Sequence, residues 1–229
     1  MLKKNIINYA ALFIALLFHL SGLVGILFTS QREWFIQNTS VNLLVMALLL
    51  VITQPQKNSH FLLFLIVTCV GGFACEIVGT SMALLFGNYT YGNVLGIKLS
   101  GVPLVIAINW FIIIYCAGVA TQFYENRMLR RLHERGITIS PRMKIISFVT
   151  DAALLCVLFD WLMEPVAQKL GYWKWEHGHI PVYNYICWIF ISALLLALFR
   201  RLDFRRNNIF AVHLFFIQSL FFLVLRTFL

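Results

Sequence analysis

Seven apolar stretches run along the chain, each bounded by short polar turns. A helix that crosses a bilayer needs roughly 20 mostly apolar residues. The pattern predicts such helices over 9–29, 34–53, 60–85, 102–123, 144–163, 181–199 and 209–228. The second is the least regular, because it opens on the polar run Gln37-Asn-Thr-Ser-Val-Asn42; a tilted or interfacial segment is its alternative reading. The first follows Met1-Leu-Lys-Lys, as a signal peptide would. It continues for about twenty residues without a small-x-small cleavage site, so it reads as a spanning helix. The expected fold is all-α: a polytopic membrane protein with about seven helices in one bundle, a single domain over residues 1–229.

Composition supports that reading. Hydrophobic residues make up 61% of the chain and charged residues 12%, against about half and about a quarter in soluble domains. The net charge of +9 would suggest nucleic acid in a soluble protein, but no groove-reading motif is present. The basic residues fall instead in alternate loops. The N-terminus and the loops after the second, fourth and sixth spans carry thirteen Lys and Arg, and the other loops five. The positive-inside rule then puts the N-terminus in the cytoplasm and the C-terminus outside the cell membrane. The basic loop around Arg130 also suits anionic lipid. The five cysteines all sit in apolar runs without a CxxC pair and read as small buried hydrophobes.

Acids break the apolar pattern. Glu33, Glu125, Glu134, Glu176 and Asp203 fall in predicted loops, where solvation explains them. Glu76 lies inside the third span, Asp151 and Asp160 lie inside the fifth, and Glu164 closes it. An ionisable group at membrane depth costs about 2.5–3.5 kcal/mol on insertion scales and usually faces inward for a purpose. Asp160 and Glu164, four apart, share a helix face. With the predicted orientation, Glu76, Asp160, Glu164, Asn109 and Asn184 all fall in the outer half of the bilayer. Asp151 lies nearer the cytoplasm, about 180° around its helix from Asp160. Interhelical hydrogen bonding alone would account for one buried acid. Three at one depth point to a site in which a carboxylic acid donates a proton.

The outer loops are rich in Tyr and Trp. Most read as an interfacial belt; a minority suit a cavity, where ring faces stabilise a cation. His177-Gly-His179 lacks a third ligand at helical spacing, so no metal is expected. His19 and His213 lie within spans and suit hydrogen bonding between helices. No phosphate loop, nucleophile elbow or zinc motif is present. The seventh span has no lysine for a retinal Schiff base.

Two groups of motifs carry a resemblance. One is Glu76-Ile-Val-Gly-Thr, Phe86-Gly-Asn-Tyr-Thr-Tyr-Gly92, Gly101-Val-Pro-Leu and Asn109-Trp110. The other is Asp160-Trp-Leu-Met-Glu-Pro165, Gly171-Tyr-Trp-Lys-Trp175, Ile180-Pro181, Asn184-Tyr185 and Trp188. Together, over about residues 73–188, they resemble the membrane carotenoid hydratases, which include the bisanhydrobacterioruberin hydratases and the bacterial carotenoid 1′,2′-hydratases. The resemblance implies a hydro-lyase that adds water to the terminal C1′–C2′ double bond of an acyclic carotenoid, giving a tertiary hydroxyl at C1′. It implies no redox or nucleotide cofactor. The expected partners are the carotenoid and lipid, with room for contacts to other carotenoid enzymes, and no nucleic acid. The residues suggest Glu76 as the acid and Asp160 with Glu164 as the pair that holds and deprotonates water. Asn109 and Asn184 would orient these groups, and Tyr89, Tyr91 and Trp110 would face the cation. A carotenoid cyclase begins with the same protonation and remains open. So do a proton-coupled transporter, which the lack of an inverted repeat disfavours, and a non-catalytic carotenoid-binding subunit.

Overall fold

A computed structural model of the chain describes residues 2–229, with side chains from Asn5 onward; the side chains of Lys3 and Lys4, counted above for orientation, lie outside the described residues. Its elements in chain order are α1 (Leu2–Phe28), α2 (Arg32–Gln37), α3 (Thr39–Thr53), α4 (Ser59–Met82), β1 (Tyr89–Tyr91), β2 (Lys98–Leu99), β3 (Val102–Pro103), α5 (Val105–Glu134), α6 (Pro141–Lys169), β4 (Trp173–Trp175), α7 (Val182–Arg201) and α8 (Ile209–Phe228). Six helices (α1, α4, α5, α6, α7 and α8) are long and apolar enough to cross a membrane, which makes this a multi-pass membrane protein. Many of their apolar residues face outward, among them Leu20, Phe190 and Leu194, as a helix solvated by lipid requires.

The predicted second span is broken. Asn38 ends α2 and begins α3, and α3 alone has 15 residues, about 22 Å of helix. Within the polar run over 37–42, two side chains meet loops: the Thr39 and Tyr172 hydroxyls lie 2.7 Å apart, and the Ser40 hydroxyl donates to the Leu95 carbonyl (2.9 Å). At its far end Gln54 Nε2 donates to the Arg205 carbonyl (3.0 Å), and Asn208 Nδ2 donates to Thr53 Oγ1 (3.0 Å). The short helix therefore still joins the two loop layers of the bundle.

Local signals set the long helices. Asn58 caps α4 by accepting from the Phe61 amide (3.0 Å), and Ser140 caps α6 with Pro141 in its first turn. α5 is the central helix, with 78% of its most apolar window buried against 28–39% in the other five. It also runs to Glu134, beyond its predicted end at 123. Glu125, expected in a solvated loop, is consequently helical and buried, and Arg200 of α7 pairs with it at 2.8 Å.

One loop layer carries strands that no span pattern announces. β1 pairs antiparallel with β4, in the register Tyr89 to Trp175, Thr90 to Lys174 and Tyr91 to Trp173. The Gly92 amide extends the pairing to the Tyr172 carbonyl (2.9 Å). A Cβ at Gly92 would overlap the Gly171 carbonyl oxygen, so the two backbones meet only because that position is glycine. This hairpin-like cover sits over the ends of α4 and α6 that carry the membrane acids.

Candidate functional site

On α4, Thr68, Gly72, Glu76 and Gly79 form one buried face, spaced as a single helix stripe. The two glycines let aromatic rings reach the acid. A Cβ at Gly72 would run into the Trp110 ring, and one at Gly79 would lie 2.9 Å from Phe86 and 3.2 Å from the Tyr89 hydroxyl. Phe86 itself is buried at φ 65°. That left-handed conformation is costly for a bulky residue and is held where the surroundings fix it. It turns the chain from α4 into β1.

α4, α5, α6, α7 and the β1–β4 pair together enclose a cavity of ≈ 30 Å³ of space open to a water centre, lined by every residue singled out in the sequence: Glu76, Tyr89, Tyr91, Asn109, Trp110, Asp160, Glu164 and Asn184. About 10–15 Å³ on this measure holds one water, so the cavity has room for one or two.

Each acid has a distinct set of partners, all of them neutral. Glu76 accepts three hydrogen bonds: Oε2 from the Tyr89 and Tyr91 hydroxyls, the latter at 2.8 Å, and Oε1 from the Trp110 indole at 2.9 Å. Glu164 Oε2 accepts from the indoles of Trp173 (3.0 Å) and Trp175 (2.8 Å). Asp160 Oδ2 accepts from Asn184 Nδ2 (2.7 Å), whereas its buried Oδ1 has no partner. Burial, and next the charge of Glu76, push the Tyr89 and Tyr91 hydroxyls above their ordinary pKa range, so both remain protonated donors at any physiological pH. Asp151 is exposed, away from this cluster.

Four lining aromatics were not among the sequence candidates. Trp173 and Trp175, expected in an interfacial belt, point inward onto Glu164. Trp188 stacks on Trp110 with ring centroids 4.2 Å apart and planes 10° from parallel, and Phe86 packs beside both. The signal was present in the period-two segments Tyr-Thr-Tyr and Trp-Lys-Trp between glycines, which read as paired strands once their alternation is counted.

A further device braces α6. Pro165, next to Glu164, has no N–H for the Trp161 carbonyl one turn earlier. Arg226 at the end of α8 donates to that carbonyl and lies 3.7 Å over the Trp161 ring. The helix turn carrying Asp160 and Glu164 is thus tied to α8 at the point where its own ladder is interrupted.

Chemically, the site offers three carboxyl groups without a cation beside them, a water-sized polar space, and a wall of electron-rich rings. No curated protein and no solved structure matches the sequence. A family model described as carotenoid biosynthesis protein matches residues 37–228. Most of the chain, including every residue of the site, falls within that match, and the chain belongs to the carotenoid biosynthesis protein family.

Proposed function

We propose that the protein hydrates the terminal double bond of an acyclic carotenoid, adding a proton at C2′ and a hydroxyl at C1′. The observation that carries this reading is the meeting of three carboxyl groups, an aromatic wall and space for one or two waters in one cavity.

The hydrogen bonds support a different division of labour from the one the sequence suggested. Glu76 is surrounded by donors, an arrangement for an acceptor rather than for an acid that releases its proton. Asp160 has a buried oxygen free of any partner, and we assign the proton donor to it. Its proton forms a new C–H bond at C2′ as the π pair is consumed, leaving a tertiary cation at C1′. The Glu76 carboxylate, with the rings of Tyr89, Tyr91 and Trp110, stabilises that charge. Water attacks C1′ and gives its proton to Glu164, whose Oε1 takes no part in the hydrogen bonds to Trp173 and Trp175. Glu164 and Asp160 lie one helical turn apart, so the proton returns to Asp160 along α6 and the site resets. Atoms balance as alkene plus water to alcohol, with no change in oxidation state overall.

The water-sized cavity favours hydration over cyclisation, since a cyclase must keep water from the same cation. The outward placement of this end of the bundle is part of the proposal. Expression in a host that makes an acyclic carotenoid, followed by product mass, tests the reading. A gain of one water per modified end is expected; a ring of unchanged mass or unmodified pigment would overturn it. Cysteine labelling that placed the loop over 86–101 in the cytoplasm would overturn the orientation.

A further inference from the structure

The acid cavity is the inner end of a longer series. A second cavity, of ≈ 50 Å³, shares Ile106, Asn109, Met163 and Trp173 with it. A third, of ≈ 520 Å³, shares Thr39, Asn42 and Phe221 with the second. The three therefore follow one another from the acids, past the start of α3, to a groove between α1, the α2–α3 break and α8. The outer groove opens sideways: Leu17, Trp34 and Val41 of its lining are each at least half exposed. Its opening is thus on the flank of the bundle, where lipid lies.

We infer that this series is the binding channel for the polyene chain of an acyclic carotenoid, which lies in the groove against α1 and reaches inward to bring its end group to the acids. The inference rests on the function proposed above. Two observations favour this occupant. The groove is lined mainly by apolar and aromatic side chains, among them Phe18, Ile26, Phe35 and Phe221, which suits a hydrocarbon of little polarity. It is continuous with the acid cavity through shared side chains. The two inner cavities are water-sized, so side chains turn to admit the chain end beside the reacting water.

The break between α2 and α3 then has a use. A straight helix over 34–53 would bring a continuous wall past this groove; the break leaves Trp34, Phe35 and Asn38 as one side and Val41 and Asn42 as the other. Gly25 matters too, because a Cβ there would overlap the Phe35 ring that forms the groove wall. His19, expected to bond between helices, is instead 2.7 Å from the Ala15 carbonyl of its own helix and turns its ring to the second cavity. The opposite wall of the groove comes from α1, which precedes the stretch matched to the family. The part of the channel that holds the chain is therefore shaped partly by α1, which lines none of the acid cavity.

The test uses the full chain in lipid nanodiscs with an achiral acyclic C40 polyene. Binding is read as induced circular dichroism in the polyene absorption, and hydration as product mass. Ser21→Trp and Leu17→Trp each fill the outer groove from a lipid-exposed position, and Leu20→Trp adds the same bulk on the outward face of α1. Both groove variants are expected to lower binding and hydration at least tenfold, with Leu20→Trp like the parent. Groove variants that keep parental binding, or a Leu20→Trp variant that loses as much, would overturn the channel. A parent that binds the polyene but never hydrates it would leave the channel standing and remove the proposed function.

Discussion

Both ends of this bundle bury acids, and they treat them in opposite ways. At the end with the basic loops, Glu125 meets Arg200 at 2.8 Å, the only ion pair among the described residues, and Gln122 bonds both partners. Close by, the Tyr115 hydroxyl donates to Gln54 Oε1 and accepts from Asn208 Nδ2 (3.2 Å), while Asn208 Oδ1 has no partner. At the other end Glu76, Asp160 and Glu164 have only hydroxyl, indole and amide partners, and one Asp160 oxygen has none. A neutralised acid holds helices together. Acids gathered without a counter-charge around a water-sized space suit the proton transfer proposed for them. Under the proposed function, the contrast separates structure from chemistry within a single chain.

Substitution should divide along the same line. Asp160→Asn, nearly isosteric, is expected to reduce hydration by about 10²–10⁴-fold, the usual worth of a general acid, with thermal stability in detergent near the parent's. A stable Asp160→Asn protein with parental activity would remove the donor assignment. Arg200→Ala should do the reverse, costing about 1.5–3 kcal/mol of stability for a lost charged hydrogen bond while turnover per folded molecule stays within about twofold of parental. If activity falls with stability intact, the two ends are coupled and the contrast fails.

Much of the site was legible because its signals are local. An acid inside an apolar run announces itself, and helix spacing placed Asp160 above Glu164. Gly72 and Gly79, which flank Glu76 on its face and admit the rings, were not singled out in the sequence. What the sequence hid was pairing at a distance. Trp173 and Trp175 reach Glu164 only because β4 pairs with β1, some eighty residues earlier in the chain, and no span pattern encodes that register. Glu125 was read as solvated because hydropathy falls off before α5 ends. The charged last turns of α5 continue a helix that the apolar window cannot follow. The broken second span was foreshadowed by its polar start, but the loops that satisfy Thr39 and Ser40 come from elsewhere in the chain.

Smaller effects sharpen the picture of the acid cage. Trp175→Phe keeps the ring and removes one donor to Glu164; a loss of about 1 kcal/mol, near fivefold in turnover, is expected. A larger loss from Trp175→Phe than from Asp160→Asn would reverse the proposed roles. The smallest effect is spectroscopic. Tyr89 and Tyr91 stay protonated beyond the ordinary phenol pKa near 10, so the alkaline titration of the parent minus that of the Tyr89→Phe/Tyr91→Phe double variant should be flat through that range. A phenolate step there would mean that the site is wetter than its packing.

The central claim is that water, rather than an internal double bond, captures the cation formed beside Asp160. Turnover of an acyclic carotenoid in deuterated water enriched in heavy oxygen measures this directly. One solvent deuterium at C2′ and one heavy oxygen at C1′ of each modified end are expected, both absent with Asp160→Asn. Solvent deuterium in a cyclised product without heavy oxygen, or incorporation of neither, would contradict it.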